Sequence, residues 1–298
     1  MKRRNLVATG VGLVLASGLS KTSLAATGTI VVGGKNYTES LIMASMTGQL
    51  LHAHGYHITM RTGMGSTLLR QAMVHGEVDV YWEYTGTALI VYDKINKHLS
   101  AQETYDVVKA KDLKKGIVWL NPSSVNDTWG LAMNRAEAER LNITSISDLA
   151  KVINSGKKLT LATGSEFAYR SDGLKPMERE YGFSFAPDQL KLMAIGLTYQ
   201  ALHDHQVDLA MVYSTDGRIK AFDFVVLNDD KHFFPVYAMT PVIRQATLNA
   251  NPGLATLLNA LSAKLNDKVM SSLNAAVDVD KDPVQLVAHN FLESVKML

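Results

Sequence analysis

The sequence predicts an α/β protein of two lobes of similar build, with a ligand cleft between them. Three observations carry that expectation. The order strand-helix-strand-helix-strand occurs twice. The interval from Ile30 to Val78 is 48 residues and that from Thr160 to Val207 is 47. The repeats also end alike, as Val78-Asp79-Val80-Tyr81-Trp82-Glu83-Tyr84 and Val207-Asp208-Leu209-Ala210-Met211-Val212-Tyr213. Each run puts a tyrosine where a β-branched and aromatic strand gives way to loop. In open α/β sheets that end of the strand is where ligands bind, and clefts between domains favour small ligands. A single larger sheet with a chance repeat is the alternative.

In the first repeat, Thr29-Ile30-Val31-Val32 reads as a strand ending at Gly33-Gly34. Thr38 then caps a helix whose apolar face uses Leu41, Ile42, Ser45, Met46 and Leu50, and Gly55 ends it. A strand follows over 57–61, then a helix over 66–75 with Leu68, Leu69, Ala72 and Met73 on one face, then the Val78 strand. In the second repeat Leu159-Thr160-Leu161-Ala162 is the strand, Gly164-Ser165 the loop and 173–181 the helix. A strand over 190–195 and a helix over 197–205 lead into Val207. Asn121-Pro122 with Asn126-Asp127-Thr128-Trp129, and later Phe233 through Pro241, read as extended crossovers. From Pro252 the tail is helical, with Leu254, Leu257, Leu258, Leu261 and Leu265 at helical spacing, and is expected to pack on the first lobe.

The N-terminus carries Lys2-Arg3-Arg4, an uncharged run from Asn5 to Ser20, and Ser23-Leu24-Ala25 as a cleavage site, the pattern of a secretory signal. The run is too short and too rich in Gly, Ser and Thr for a spanning helix, which needs about 20 apolar residues. Cysteine is absent, which excludes disulfides, a thiol nucleophile and a lipidated cysteine. Cleavage near Ala25 removes four of the 30 Lys and Arg residues and none of the 28 acids, so the whole-chain charge of +2 becomes −2. The basic balance therefore belongs to the leader, and nothing points to nucleic acid or to a membrane surface. The expectation is a soluble periplasmic monomer.

Four electron-rich rings, Tyr84, Trp129, Tyr213 and Tyr237, end strands or sit on crossovers. A box of such rings suits a quaternary ammonium, whose methyl groups offer no conventional hydrogen bond and are held by ring faces at about 0.5 to 2 kcal/mol per contact. Each ring taken alone is better explained as core than as cage, and it is their joint placement that points to a box. Lys35, after the diglycine, and Arg170, ahead of a helix, are candidates to hold an anion. Gly33-Gly34-Lys35-Asn36 does not make a phosphate loop, since Thr29 and Asn36 stand where Gly and Ser or Thr belong. A metal-dependent periplasmic hydrolase built on His52, His54 and His57, helped by His203 and His205, is the reading from a different class. Its spacing is poor, because His52 and His54 point to different helix faces. No Gly-x-Ser-x-Gly or other nucleophile motif is present.

At Lys35-Asn36-Tyr37-Thr38-Glu39, Glu83-Tyr84-Thr85-Gly86-Thr87, Tyr213-Ser214-Thr215-Asp216 and Phe233-Phe234-Pro235-Val236-Tyr237, the chain resembles the substrate-binding proteins of osmoprotectant ABC importers. Within them it is most similar to the OsmF/YehZ type. The resemblance runs from Ile30 to about Arg244. It implies a type II periplasmic-binding fold, each lobe a mixed sheet flanked by helices. Residues 1–25 would be the signal peptide, 26–130 the first part of lobe 1, 131–236 lobe 2, and 237–298 the return to lobe 1.

The resemblance implies a receptor, not an enzyme, without cofactor. It would carry glycine betaine or a related betaine, with choline or carnitine as alternatives, to an inner-membrane permease and its ATPase. A ligand sensor of the same fold is a further alternative. Tyr84, Trp129, Tyr213 and Tyr237 match the ammonium cage, Lys35, Thr87 and Arg170 the carboxylate clamp, and the Asp127 carbonyl would lie near the methyl groups. Trp129 stands where a tyrosine is common, and Tyr37 where phenylalanine is usual. Hinge motion is expected near Gly130 and Pro235, and choline is expected to leave Arg170 unpaired.

Overall fold

The computed structural model describes residues 29–97 and 99–298; the expected signal segment lies outside the described residues. Ten strands form two five-stranded mixed sheets of the same plan. The first contains β1 (Thr29–Lys35), β2 (His57–Met64), β3 (Val80–Tyr84), β4 (Ile117–Trp119) and β10 (Met239–Arg244), in the order β2-β1-β3-β10-β4. The second contains β5 (Trp129–Asn134), β6 (Leu161–Thr163), β7 (Leu190–Leu192), β8 (Leu209–Tyr213) and β9 (Phe224–Val226), in the order β7-β6-β8-β5-β9. In each sheet four strands run in one direction, while β10 or β5 is antiparallel to both of its neighbours. The chain crosses between sheets twice, after β4 and after β9. A bridge between Asn126 and Ala238 ties the two crossovers together.

The repeat has a physical cause that the Val-Asp pairs encode. Neither pair belongs to a strand, since β3 begins at Val80 and β8 at Leu209. Asp79 Oδ2 instead accepts from the Val31 amide at 2.9 Å, and the Asp79 amide donates to the Val31 carbonyl. Asp208 Oδ2 accepts from the Thr160 amide at 2.7 Å and its hydroxyl at 2.8 Å, and the Asp208 amide donates to the Thr160 carbonyl. Both pairs are 48 residues apart. In each lobe a carboxylate thus fixes the start of the central strand against its parallel neighbour through charge-assisted bonds.

Other expectations are adjusted in detail. Thr38 is not a cap: Tyr37 holds the N-cap position of the Thr38–Ala53 helix, and the Thr38 hydroxyl donates to Asp278 at 2.8 Å. Gly55, at φ +87°, does end that helix, in the left-handed region that favours glycine. Gly33 is needed for packing, because a Cβ there would lie 2.6 Å from the Leu69 side chain and 2.8 Å from that of Val78. Gly130 itself lies inside the second sheet, where it pairs with Val212 and a Cβ would lie 2.9 Å from Val226. The helix Ala101–Leu113 was not anticipated, although Ser100 and Glu103 form a capping box at its start.

The core divides along the same lines. One cluster, including Trp129, Leu131, Leu161, Phe167 and Met211, fills the second lobe. In the first lobe the C-terminal helices Gly253–Ser262, Asp267–Asp278 and Val284–Ser294 return to cover the sheet. Leu254 and Leu258 pack with Ile30 and Val32, and Leu261, Met270 and Leu292 with Ile42 and Met46. No helix among the described residues is long and apolar enough to cross a membrane.

Candidate functional site

The parallel strands deliver their C-terminal ends to the cleft between the lobes. Tyr84 is the last residue of β3 and Tyr213 the last of β8. Tyr37 stands two residues beyond the end of β1. Its ring stacks on Tyr213, with centroids 4.9 Å apart and planes at 19°, and lies 6.4 Å from the Tyr84 ring at 42°. Trp129 opens β5, packs edge-on against Phe167 at 5.2 Å, and lies 6.1 Å from Tyr237 on the second crossover. Gly86 makes room for Tyr237, because a Cβ there would sit 2.8 Å from its ring.

All eight residues singled out in the sequence, Lys35, Tyr84, Thr87, Asp127, Trp129, Arg170, Tyr213 and Tyr237, line one cavity, joined by Tyr37, Ser66 and Glu166. The lobes are in contact across it. Glu166 of the second lobe accepts from the Ser66 amide at 2.7 Å and its hydroxyl at 2.8 Å, at the start of the Ser66–Val74 helix, where a negative charge is favoured. Arg170 donates to the Thr87 hydroxyl at 3.1 Å. The space between the rings is about 20 Å³, the scale of one water. Admitting a larger guest therefore requires the walls to part.

Both cations of the site already have protein partners. Lys35, 2 % exposed, lies 2.6 Å from Glu83 and 5.0 Å from the Tyr84 ring centroid. Glu83 also accepts from the Tyr81 and Tyr92 hydroxyls and the Tyr84 amide. Arg170 meets Asp172 through two bonds of 2.9 and 2.6 Å, meets Glu166 at 2.9 Å, and stacks 4.3 Å above Trp129. Burial disfavours the guanidinium charge, but Asp172 outweighs it and Arg170 stays firmly protonated. The expectation that choline would strand Arg170 is thus overturned: the guanidinium is paired within the protein.

Two further carboxyls stand behind the rings. Glu39 accepts from the Tyr84 hydroxyl at 2.6 Å and from the Thr215 hydroxyl at 2.6 Å. An Asp127 oxygen lies 2.9 Å from the same Thr215 hydroxyl. Burial and then mutual repulsion push the Asp127 carboxyl well above the ordinary range, and burial raises Glu39 as well. The site thus holds two cations against five carboxyls, Glu39, Glu83, Asp127, Glu166 and Asp172, a balance suited to a positively charged guest.

The histidines do not converge. His52, His54 and His57 are all exposed, and the His54 ring lies 2.9 Å from the Leu50 carbonyl of its own helix. Among the described residues no group of three His, Cys, Asp or Glu side chains is placed to hold a metal ion. The hydrolase reading therefore lacks a site.

Sequence reasoning missed Tyr37 as a wall, Asp172 as the partner of Arg170, and Glu39 with Thr215. The first was within reach, since Tyr37 follows a strand end. So was Asp172, two residues from Arg170, whereas Glu39 and Thr215 lie 176 positions apart and had no local signal.

Residues 28–294 match the family described as the substrate binding domain of ABC-type glycine betaine transport systems. The chain is similar to a glycine-betaine-binding protein of Pseudomonas aeruginosa, with 43 % identity over 288 residues covering 95 % of this chain and 93 % of that one. It is 33 % identical to the glycine betaine-binding protein YehZ of Escherichia coli, over 91 % of this chain and 92 % of YehZ. A crystal structure of a glycine betaine/carnitine/choline ABC transporter superimposes with a TM-score of 0.73 at 30 % identity, over 90 % of this chain and 99 % of that chain.

Proposed function

Because this chain belongs to the family of substrate-binding domains of ABC-type glycine betaine transport systems, we propose that it is the periplasmic solute-binding component of an importer for quaternary-ammonium osmoprotectants, with glycine betaine or a related betaine as ligand. It performs no chemistry itself. It acts as a monomer that closes on its ligand and delivers it to an inner-membrane permease with a cytoplasmic ATPase.

The observation that carries this reading is the ring of Tyr37, Tyr84, Trp129, Tyr213 and Tyr237 around one cavity. A quaternary ammonium is too large for a single-atom site and cannot donate strong hydrogen bonds, so ring faces are its natural partners. Rings from both lobes make binding and closure one event, because the cage is complete only when the lobes meet. Lys35, Arg170 and Thr87 serve the ligand's carboxylate, which competes with Glu166 for Arg170 as it enters.

Calorimetric titration with glycine betaine, choline, carnitine and proline betaine tests the proposal. Saturable binding of at least one quaternary amine is the expected result. No binding by any of the four would overturn it.

A further inference from the structure

The Thr215 hydroxyl lies 2.6 Å from a Glu39 oxygen and 2.9 Å from an Asp127 oxygen. A hydroxyl has one proton and can donate to one of them only. The second short contact needs a proton on a carboxyl. The other donors to the pair are already committed: Tyr84 Oη to Glu39, the Thr215 amide to Asp127 at 3.3 Å, and Asn274 Nδ2 to Glu39 at 3.3 Å.

The charged and titratable surroundings do not remove that requirement. From the Thr38–Ala53 helix and the turn before it, Glu39 meets Tyr37; from β3 it meets Tyr84; and from the first crossover it meets Asp127. The loop after β8 adds Asp216, and the Asp267–Asp278 helix adds Asn274 and Asp278. Of the nearby guanidinium groups, Arg218 is held 2.6 Å from Asp216 and 3.2 Å from Asp278, and Arg170, which lines the aromatic cavity with Asp127, is paired with Asp172 and Glu166. Lys35, 5.0 Å from the Tyr84 ring centroid, is paired with Glu83. Two buried carboxylates joined by a single hydroxyl and lacking a cation do not both ionise.

Asp127 and Tyr37 line both the aromatic cavity and a second cavity of about 140 Å³ behind it, which Glu39, Asp216 and Asn274 also border. The carboxyl pair thus has the ligand on one side and room for water on the other. We propose that Glu39, Thr215 and Asp127 share one proton behind the cage, and that entry of a quaternary ammonium expels it. This rests on the functional reading above. The O–H bond of one carboxyl breaks, the proton passes to solvent, and the ligand's charge takes its place. Glu39, then fully ionised, accepts from Tyr84 and enriches that ring's face toward the cation, so the proton also tunes the cage.

The test is calorimetric titration of the full chain with glycine betaine in phosphate, Hepes and Tris, whose ionisation enthalpies differ. The heat should vary with the buffer with a slope of about one proton released per ligand, and Kd should tighten by up to about tenfold per pH unit while the pair still holds its proton. Glu39→Gln and Asp127→Asn, checked for folding by circular dichroism, should bind with a slope near zero. Binding heat that is the same in all three buffers overturns this inference and leaves the functional reading standing, as does undiminished proton release in the folded variants. Absence of binding by any quaternary amine overturns both.

Discussion

The Tyr37 ring lies 4.9 Å from the Tyr213 ring, nearly parallel to it, and so joins a wall of the first lobe to one of the second. Each ring takes the place that a cation between them would take. A guest has to separate the pair, and it gains two faces by doing so.

Tyr37→Phe should therefore bind ligand within about threefold of the wild type, because the ring face is kept. Tyr37→Ala should lose about one contact of 0.5 to 2 kcal/mol, a weakening of roughly 2- to 30-fold. Titration calorimetry of both variants gives the answer, and equal affinities would remove Tyr37 from the cage.

Arg170→Ala removes the cation ion-paired with Asp172 and Glu166, and leaves Asp172, 2 % exposed, with the Tyr237 hydroxyl at 2.8 Å. Removing one partner of a buried ion pair costs about 3 to 5 kcal/mol. Urea unfolding of the ligand-free variant should show a loss of that order. A change below about 1 kcal/mol would mean that the ion pairs are dispensable.

Gly86→Ala places a methyl group 2.8 Å from the Tyr237 ring and 3.0 Å from Pro235. Both neighbours are ring atoms of the second crossover, so the strain is relieved by shifting Tyr237. Overpacking of this kind costs about 1 to 3 kcal/mol. The expected outcome is weakened binding with a smaller loss of stability, read by titration and thermal unfolding of the same sample.

Glu39 and Asp127 have folded-state pKa values raised above those of the unfolded chain, by burial first. The folded state then holds the extra proton, so their contribution is fully present below the unfolded carboxylate range and fades as pH rises through the folded values. Raising the pH above the ordinary carboxylate range should weaken the ligand-free protein relative to Glu39→Gln. The Tm gain from saturating glycine betaine should grow over the same interval. A pH-independent gain in differential scanning fluorimetry would contradict this.

The repeat was legible in the sequence because each lobe needs the same parts: a strand, a covering helix, and an aspartate that ties the central strand to its neighbour 48 residues back. The rings were legible because strand ends are marked by local composition. The carboxyl partners were not. Glu83 lies inside a strand that is buried along its whole length, and its partner Lys35 arrives from β1, 48 residues away. Thr215 reaches Glu39 only after both lobes have folded and met.

The central claim is that one cation is held between rings contributed by both lobes. Titration of glycine betaine into Tyr84→Ala and Tyr213→Ala, each shown to be folded, tests it most directly. Each substitution removes a wall from a different lobe and should weaken binding by about tenfold or more. Wild-type affinity in both variants would show that the ligand is held elsewhere.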